Sequence, residues 1–375
     1  MTRNYSIDFF KCLAIFGVVC IHTHTFRDTA VPFGNGETWA FIIDTIARFS
    51  VPFFFAASGY LFAMKLQRTD DTFAYFKRYT GKLISLLAAW FAFYWVYDFI
   101  KMLSTSNGTM HERKAELTAY FQDTFQWRTL LDGISYTQYQ LWFMFALIFS
   151  IIIIYAASRL RILKLTLLVG LVLNLIGLMG QSYGSLFHIT MEETTRNGIY
   201  FGLFYTALGA CFGLYEKKIT TLAKRIKPSY IIASIAVLMS LQLLERTILV
   251  YVLDLPQGEY FISTIPLTIA LLLLTTVVRS IGSHAIWSMM AKNIVGVYLI
   301  HTLWRSVIND NIRASQYAAI EHTFLWGILY APILFVISYL TYILIQKAKV
   351  KLLHPTVPER QHRSKKRQVG HVYAK

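Results

Sequence analysis

Blocks of roughly twenty apolar residues, punctuated by short polar stretches, recur along nearly the whole of this 375-residue chain. A helix of that length crosses about 30 Å of hydrocarbon, so the blocks read as membrane spans. Charged residues make up 15% of the sequence, where a soluble domain carries about a quarter, and the mean hydropathy is +0.47. The length would suit two soluble domains, but the patterning suits one membrane domain better.

Punctuating the blocks by charge, Gly and Pro predicts an all-α, polytopic protein of about ten transmembrane helices. They run over 7–26, 38–64, 83–100, 139–157, 162–180, 197–215, 229–250, 260–278, 285–304 and 324–346. The ninth is interrupted by Lys292 and Asn293. Assigning loops alternately to two sides puts 24 Lys and Arg on one side and 9 on the other. The positive-inside rule then places both termini in the cytoplasm. Residues 1–346 form the membrane domain, and 347–375 form a basic cytoplasmic tail holding 9 of the 36 Lys and Arg. The formal charge of +16 thus speaks for anionic lipid beside that tail, with no nucleic-acid partner implied. The longest outer loop, 101–138, is large enough to lie over a site.

Cys12, Cys20 and Cys211 lie inside apolar stretches and suggest neither a disulfide framework nor a metal site. Lys11 and His22 fall within the first block, which is read as a retained helix and not as a removed signal peptide.

Ionisable groups at membrane depth are costly and mark candidate sites. Eleven residues separate Lys11 from His22, three helical turns plus about 20° with a rise of about 16 Å, so both lie on one face. A groove along that face would hold an elongated anionic ligand, its charged head at Lys11 and its reactive end at His22. Taken singly, Lys11 also suits snorkelling or an i,i+3 pair with Asp8, and His22 a packing role. His24, two residues on, points elsewhere. In the second block Arg48 must be paired or face water, with Asp44 one turn earlier as a partner; Pro52 bends the helix, and Ser58 and Gly59 permit close packing or ligand approach. His301 lies at a depth similar to His22, with Tyr298 one turn before it. Trp142, near the outer boundary, suits an aromatic-belt anchor or a substrate contact. Lys77, Arg78 and Lys82 cluster on the cytoplasmic side as a phosphate site or as ordinary positive-inside charge. No nucleophile elbow, P-loop, dinucleotide fingerprint or zincin motif occurs.

Several of these segments resemble acyltransferase family 3, bacterial transmembrane acyltransferases that O-acylate cell-surface glycans. The resemblance rests on Lys11 and His22 as an Arg/Lys-x10-His signature preceded by Ile7 and Asp8, on RFSVPFFFAASGYLF at 48–62, on LWF at 141–143 and on KNIVGVYLIH at 292–301. Within the family the chain is most similar to single-domain O-acetyltransferases of the kind that modify enterobacterial common antigen. Lysine stands where arginine is commoner at position 11, and the family's cytoplasmic R-x-x-R is only approximated, with Tyr79 and Lys82 at the corresponding positions. The resemblance implies acetyl-CoA, or another acyl-CoA, as a cytoplasmic donor. Its phosphates would lie near Lys11, Lys77, Arg78 and Lys82 and its thioester near His22. It further implies a surface glycan or lipid-linked sugar as acceptor, and the bacterial inner membrane as location. His22 would act as base or as acyl acceptor, with Arg48 and His301 orienting the reactants and stabilising oxyanion charge, and with Trp142, Tyr298 and Ser58 at the substrate. No metal or permanently bound cofactor is expected.

A transporter or flippase for a lipid-linked sugar also fits a polytopic chain with intramembrane charges. It would show paired broken helices and an internal repeat, and the sequence displays neither. A regulatory membrane module is a third reading, one without thioester chemistry.

Overall fold

The computed structural model describes residues 3–105, 109–124, 126, 129, 137, 139–189, 191, 194–223 and 225–353. The tail from 354 onward and Arg128, Glu192, Glu193 and Lys224 lie outside the described residues. Those described are all-helical, with no strand among them.

Thirteen α-helices are described: α1 (Tyr5–Thr23), α2 (Gly36–Ala47), α3 (Ser50–Leu66), α4 (Thr72–Thr105), α5 (Met110–Thr124), α6 (Trp142–Arg159), α7 (Leu163–Met179), α8 (Leu203–Leu214), α9 (Glu216–Ala223), α10 (Pro228–Thr247), α11 (Thr264–Val277), α12 (Ala285–Arg313) and α13 (Phe324–Leu353). Each of the ten expected spans falls on a helix. Six helices are long and apolar enough to cross a membrane, and α8 with α9, bent by 78°, makes a seventh if the pair counts as one span. The remaining three expected spans correspond to α7 and α11, which are shorter, and to α12, which carries Lys292, Arg305, Asp310 and Arg313. Large apolar side chains such as Leu13, Phe93, Ile152, Leu168, Val237 and Leu340 stand exposed on these helices. A water-facing surface would not sustain so much apolar area; a lipid-facing one requires it.

Helix ends follow from local chemistry. Asn4 caps α1 by accepting from the Ile7 N–H, and Asn35 caps α2 through Glu37. In the segment expected to be a long loop, α5 opens with a capping box in which the Thr109 N–H and hydroxyl donate to Glu112, holding that carboxyl below its usual range. Tyr120 and Phe121 then pack α5 along α4 against Trp95. Between α2 and α3 the helix breaks at Arg48 and Phe49. Pro52, lacking an N–H, leaves the Arg48 carbonyl without its intrahelical donor. The predicted bend therefore falls one turn before the proline.

Contacts between loops sort the helix ends into two groups. At one end Tyr5 donates to the Arg279 carbonyl, Gln67 to the Gly213 carbonyl, and Arg159 to Thr72. This is the basic end of the bundle, and there the carboxylate of Glu216, at the α8–α9 bend, accepts from Tyr60 at 2.5 Å and from Arg279. At the far end Arg48 meets Glu259, Arg246 meets Asp44, and Ala30 donates to the His322 carbonyl.

The closest helix pair is α3 with α8. A methyl group on Gly59 would strike the Thr206 carbonyl, and one on Gly209 the Ala56 carbonyl, so the two backbones touch. Phe53, Phe55 and Phe62 of α3 lie in the main core beside Tyr205 of α8 and Ile151 of α6. A second core joins α1, α12 and α13. Helix α1 thus lies between the two, and its Lys11–His22 face is enclosed by protein.

Candidate active site

The first of the predicted pair, Lys11, lines a cavity of about 220 Å³ together with Val18, Ser58, Tyr79 and Tyr298. The remaining lining is almost wholly apolar, from Val51 and Phe54 on α3, Leu83 on α4, Leu147 on α6 and Ile294 on α12. Asp8 pairs with Arg3 at 2.7 Å, and among the described residues Lys11 has no carboxylate within ion-pair distance. Its ammonium is therefore available to a ligand in the cavity.

At the other end of the same helix face, His22 Nδ1 lies 2.6 Å from His301 Nε2, the rings nearly parallel at 9°. His301 is fully buried while His22 keeps partial exposure. The second nitrogen of His301, Nδ1, is 3.1 Å from the Val297 carbonyl one turn earlier on α12. A carbonyl only accepts, so Nδ1 of His301 carries a proton and its Nε2 presents a lone pair. His22 Nδ1–H then donates to that lone pair. This leaves Nε2 of His22 as an unprotonated, accessible nitrogen, which is the form a base or nucleophile requires.

The histidine pair stands between two cavities. The inner one reaches Val18 and Tyr298, a turn below His22 and His301. An outer one of about 340 Å³ begins at Thr23 and Arg305, just beyond the pair. The Tyr139 ring packs edge-on against His22 at 5.0 Å, and its hydroxyl accepts from Arg305 at 3.4 Å. Tyr298 donates to the Gln140 carbonyl and sets its ring 6.1 Å from His301.

Arg48 is paired as expected with Asp44, in a bidentate contact at 2.9–3.1 Å. Asp44 also holds Arg246 at 2.5 Å, a partner nothing in the sequence indicated. Arg48 reaches the Glu259 carbonyl at 3.5 Å, and the Glu259 carboxylate pairs with Arg196 at 2.5 Å. Arg196 in turn lies over the Trp142 ring at 5.0 Å. Trp142 is thus buried beneath a guanidinium, packed on Phe55 and Phe201, and does not face lipid as a belt residue would. Arg48 and Trp142 belong to one charged network beside the histidines, although neither touches an imidazole. Arg305, Arg196 and Arg48 all act electrostatically on His22.

Lys77, Arg78 and Lys82 are exposed on the first turns of α4 and line no described cavity, whereas their neighbour Tyr79 does. Sequence reasoning missed Tyr79, Tyr139, Arg196 and Arg305. Arg305 stands four residues after His301 and hence on its face, a relation legible only once the helix is seen to continue past the apolar block.

A multi-pass membrane protein with a buried imidazole pair between an inner and an outer cavity is the class that fold and site define. The chain belongs to acyltransferase family 3, whose profile, described as an acyltransferase domain, covers residues 4–343. It is also similar to a protein of Enterococcus faecalis described as an amino-acid racemase, 29% identical over 234 residues, which are 58% of this chain and 30% of that protein. The chain thus spans less than a third of the length of that relative. No solved structure matches it.

Proposed function

We propose that this membrane acyltransferase carries an acyl group, in the first instance acetyl, from cytoplasmic acyl-CoA to a hydroxyl of a cell-surface glycan or lipid-linked sugar. The observation that carries the reading is the hydrogen bond from His22 to His301, set between an inner cavity that begins at Lys11 and an outer one that opens beyond Arg305. The basic end of the bundle is the cytoplasmic one, by the positive-inside rule, with ten spans and both termini inside. A bacterial inner membrane is the location that the family suggests.

The donor enters from the basic end. Lys11 meets its phosphates, helped at the mouth by Lys77, Arg78 and Lys82, while the thin pantetheine arm lies along the apolar cavity past Ser58 toward Tyr298. The acceptor arrives from the far end. The inner cavity ends a turn below His22 and the outer one begins just beyond it, so donor and acceptor approach that imidazole from opposite sides, which favours direct transfer over an acyl-histidine intermediate. Nε2 of His22 takes the proton from the acceptor hydroxyl as its oxygen attacks the thioester carbonyl. His301 accepts the Nδ1–H bond throughout and steadies the imidazolium. The guanidiniums of Arg48 and Arg196 supply the positive field for the tetrahedral oxyanion, and Trp142 fixes Arg196 in place. Collapse breaks the C–S bond, and His22 returns its proton to the departing thiolate. The products are the ester and free CoA.

The transporter reading asks for two broken helices in corresponding places. The α8–α9 bend offers one, but its short arm, Glu216–Ala223, is the charged segment EKKITTLA of an interfacial helix. Purified protein with radiolabelled acetyl-CoA and a candidate glycan tests the proposal. Labelled glycan is expected from wild type and none above background from His22→Ala. Sugar flux across vesicles without acetyl-CoA consumption would support the carrier instead.

A further inference from the structure

The outer cavity is walled by the loop after α1, by the outer turns of α12 and by the start of α13. Its lining includes His24, Arg27, Arg305, Asn309, Trp326 and Tyr330. The loop is firmly shaped. His24, Phe26 and Asp28 all adopt left-handed backbone conformations, with φ of 49°, 68° and 55°. Gly36 and Gly327 lie so close beneath it that a methyl group on either would strike Phe26 or Thr29. Trp326 and Tyr330 stack at 4.4 Å and present aromatic surface to the cavity, a common lining for a sugar ring.

Three guanidiniums line this chamber, and of the two with no ion pair among the described residues Arg27 is exposed to water while Arg305 is partly buried. Arg313 pairs with Glu321 at 3.5 Å, but Arg305 has no carboxylate partner among the described residues. Its one hydrogen bond is to the Tyr139 hydroxyl, and its Nε is buried with no partner at all. A guanidinium with a desolvated, unsatisfied donor at the edge of a cavity is stabilised most by a bound anion, which its fork can hold through two bonds. Four residues along α12, His301 completes the catalytic pair, so an anion on Arg305 would place its carrier within a turn of His22.

We infer that the outer chamber is the acceptor site and that Arg305 selects an acceptor bearing an anionic group, a sugar carboxylate or the phosphate of a lipid carrier, next to the hydroxyl that is acylated. The inference rests on the acyltransferase reading for the fate of the acceptor, but not for its binding.

Two matched pairs of probes separate the sources of the anion: a glucuronate-containing disaccharide against its glucose counterpart, and a polyprenyl-phosphate-linked N-acetylglucosamine against the free sugar. Each is titrated calorimetrically into full-length wild type, Arg305→Gln and Arg305→Lys in nanodiscs, and then assayed with labelled acetyl-CoA. Wild type is expected to prefer the anionic member of one pair at least about tenfold. Arg305→Gln loses the preference while binding the neutral member as before, and Arg305→Lys keeps part of it. Which pair discriminates tells carboxylate from phosphate. Equal binding of both members in both pairs overturns the inference, as does a Gln variant that weakens neutral and anionic members alike. Preference in binding without acetyl transfer overturns the proposed reaction and leaves the anion site standing.

Discussion

His301 accepts a hydrogen bond from His22 across 2.6 Å while its other nitrogen is tied to its own helix at Val297. The backbone of α12 therefore dictates the tautomer of a side chain on α1. In the proposed reaction His301 is a positioning residue, and His22 is the one that meets the reactants. Replacing His22 by Ala is expected to lower acetyl transfer by about 10³-fold, near the middle of the range for loss of a general base. His301→Ala should lower kcat by about 10²-fold with KM for acetyl-CoA unchanged. A His301→Ala enzyme of normal kcat would show that the pair has no catalytic meaning.

Lys11 without an ion-pair partner at the inner cavity predicts a binding effect. Lys11→Ala should raise KM for acetyl-CoA about tenfold, the loss of one charge-assisted contact, and leave kcat within a few-fold. Lys11→Arg should restore most of it. An unchanged KM would remove the donor from that end of the corridor.

Steady-state kinetics distinguish the two chemical routes. Simultaneous access from both sides predicts intersecting double-reciprocal plots with acetyl-CoA and acceptor varied. Parallel lines, with labelled acetyl retained on the protein, would mean that His22 carries the acyl group.

Asp44 lies between Arg48 and the buried Arg246, whose side chain is 3% exposed. Asp44→Asn leaves that guanidinium without its counter-charge and should destabilise the protein by about 3–5 kcal/mol. A lowered unfolding temperature in detergent checks this. The double variant Asp44→Asn, Arg246→Met should recover much of the loss. No recovery would mean that Asp44 serves Arg48 alone.

What the sequence made legible was what periodicity and hydropathy encode. The spans, the shared face of Lys11 and His22, and the similar depth of His22 and His301 all follow from residue spacing along single helices. The Arg48–Asp44 pair is local too, one turn apart. The Asp44–Arg246 and Arg196–Glu259 pairs are not, because their partners come from helices or loops far apart in sequence and hydropathy carries no record of which helices touch. Arg305 was hidden for another reason. Its helix continues well past the apolar block, so a residue of the site's outer rim counted as a loop charge. Trp142 followed a general rule for aromatic residues at membrane boundaries, which the guanidinium above it overrides. Tyr79 lay in plain view between Arg78 and Lys82, but spacing alone does not tell which of these residues turns toward the cavity, since Lys82 stands only one turn from Tyr79.

The contact of α3 with α8 at Gly59 and Gly209 reaches the chemistry through Ser58, which faces the inner cavity from the residue next to Gly59. That wall has no slack, since retreating from a bulkier donor would push one helix axis into another. The yielding side is the opposite one, where Leu83 and Val295 border the cavity on helices not pinned to that seam. If the donor lies there as proposed, the cavity is a gauge with one fixed jaw, and enzymes of this design that take longer acyl groups should differ at the positions of Leu83 and Val295 and keep a small residue at that of Ser58.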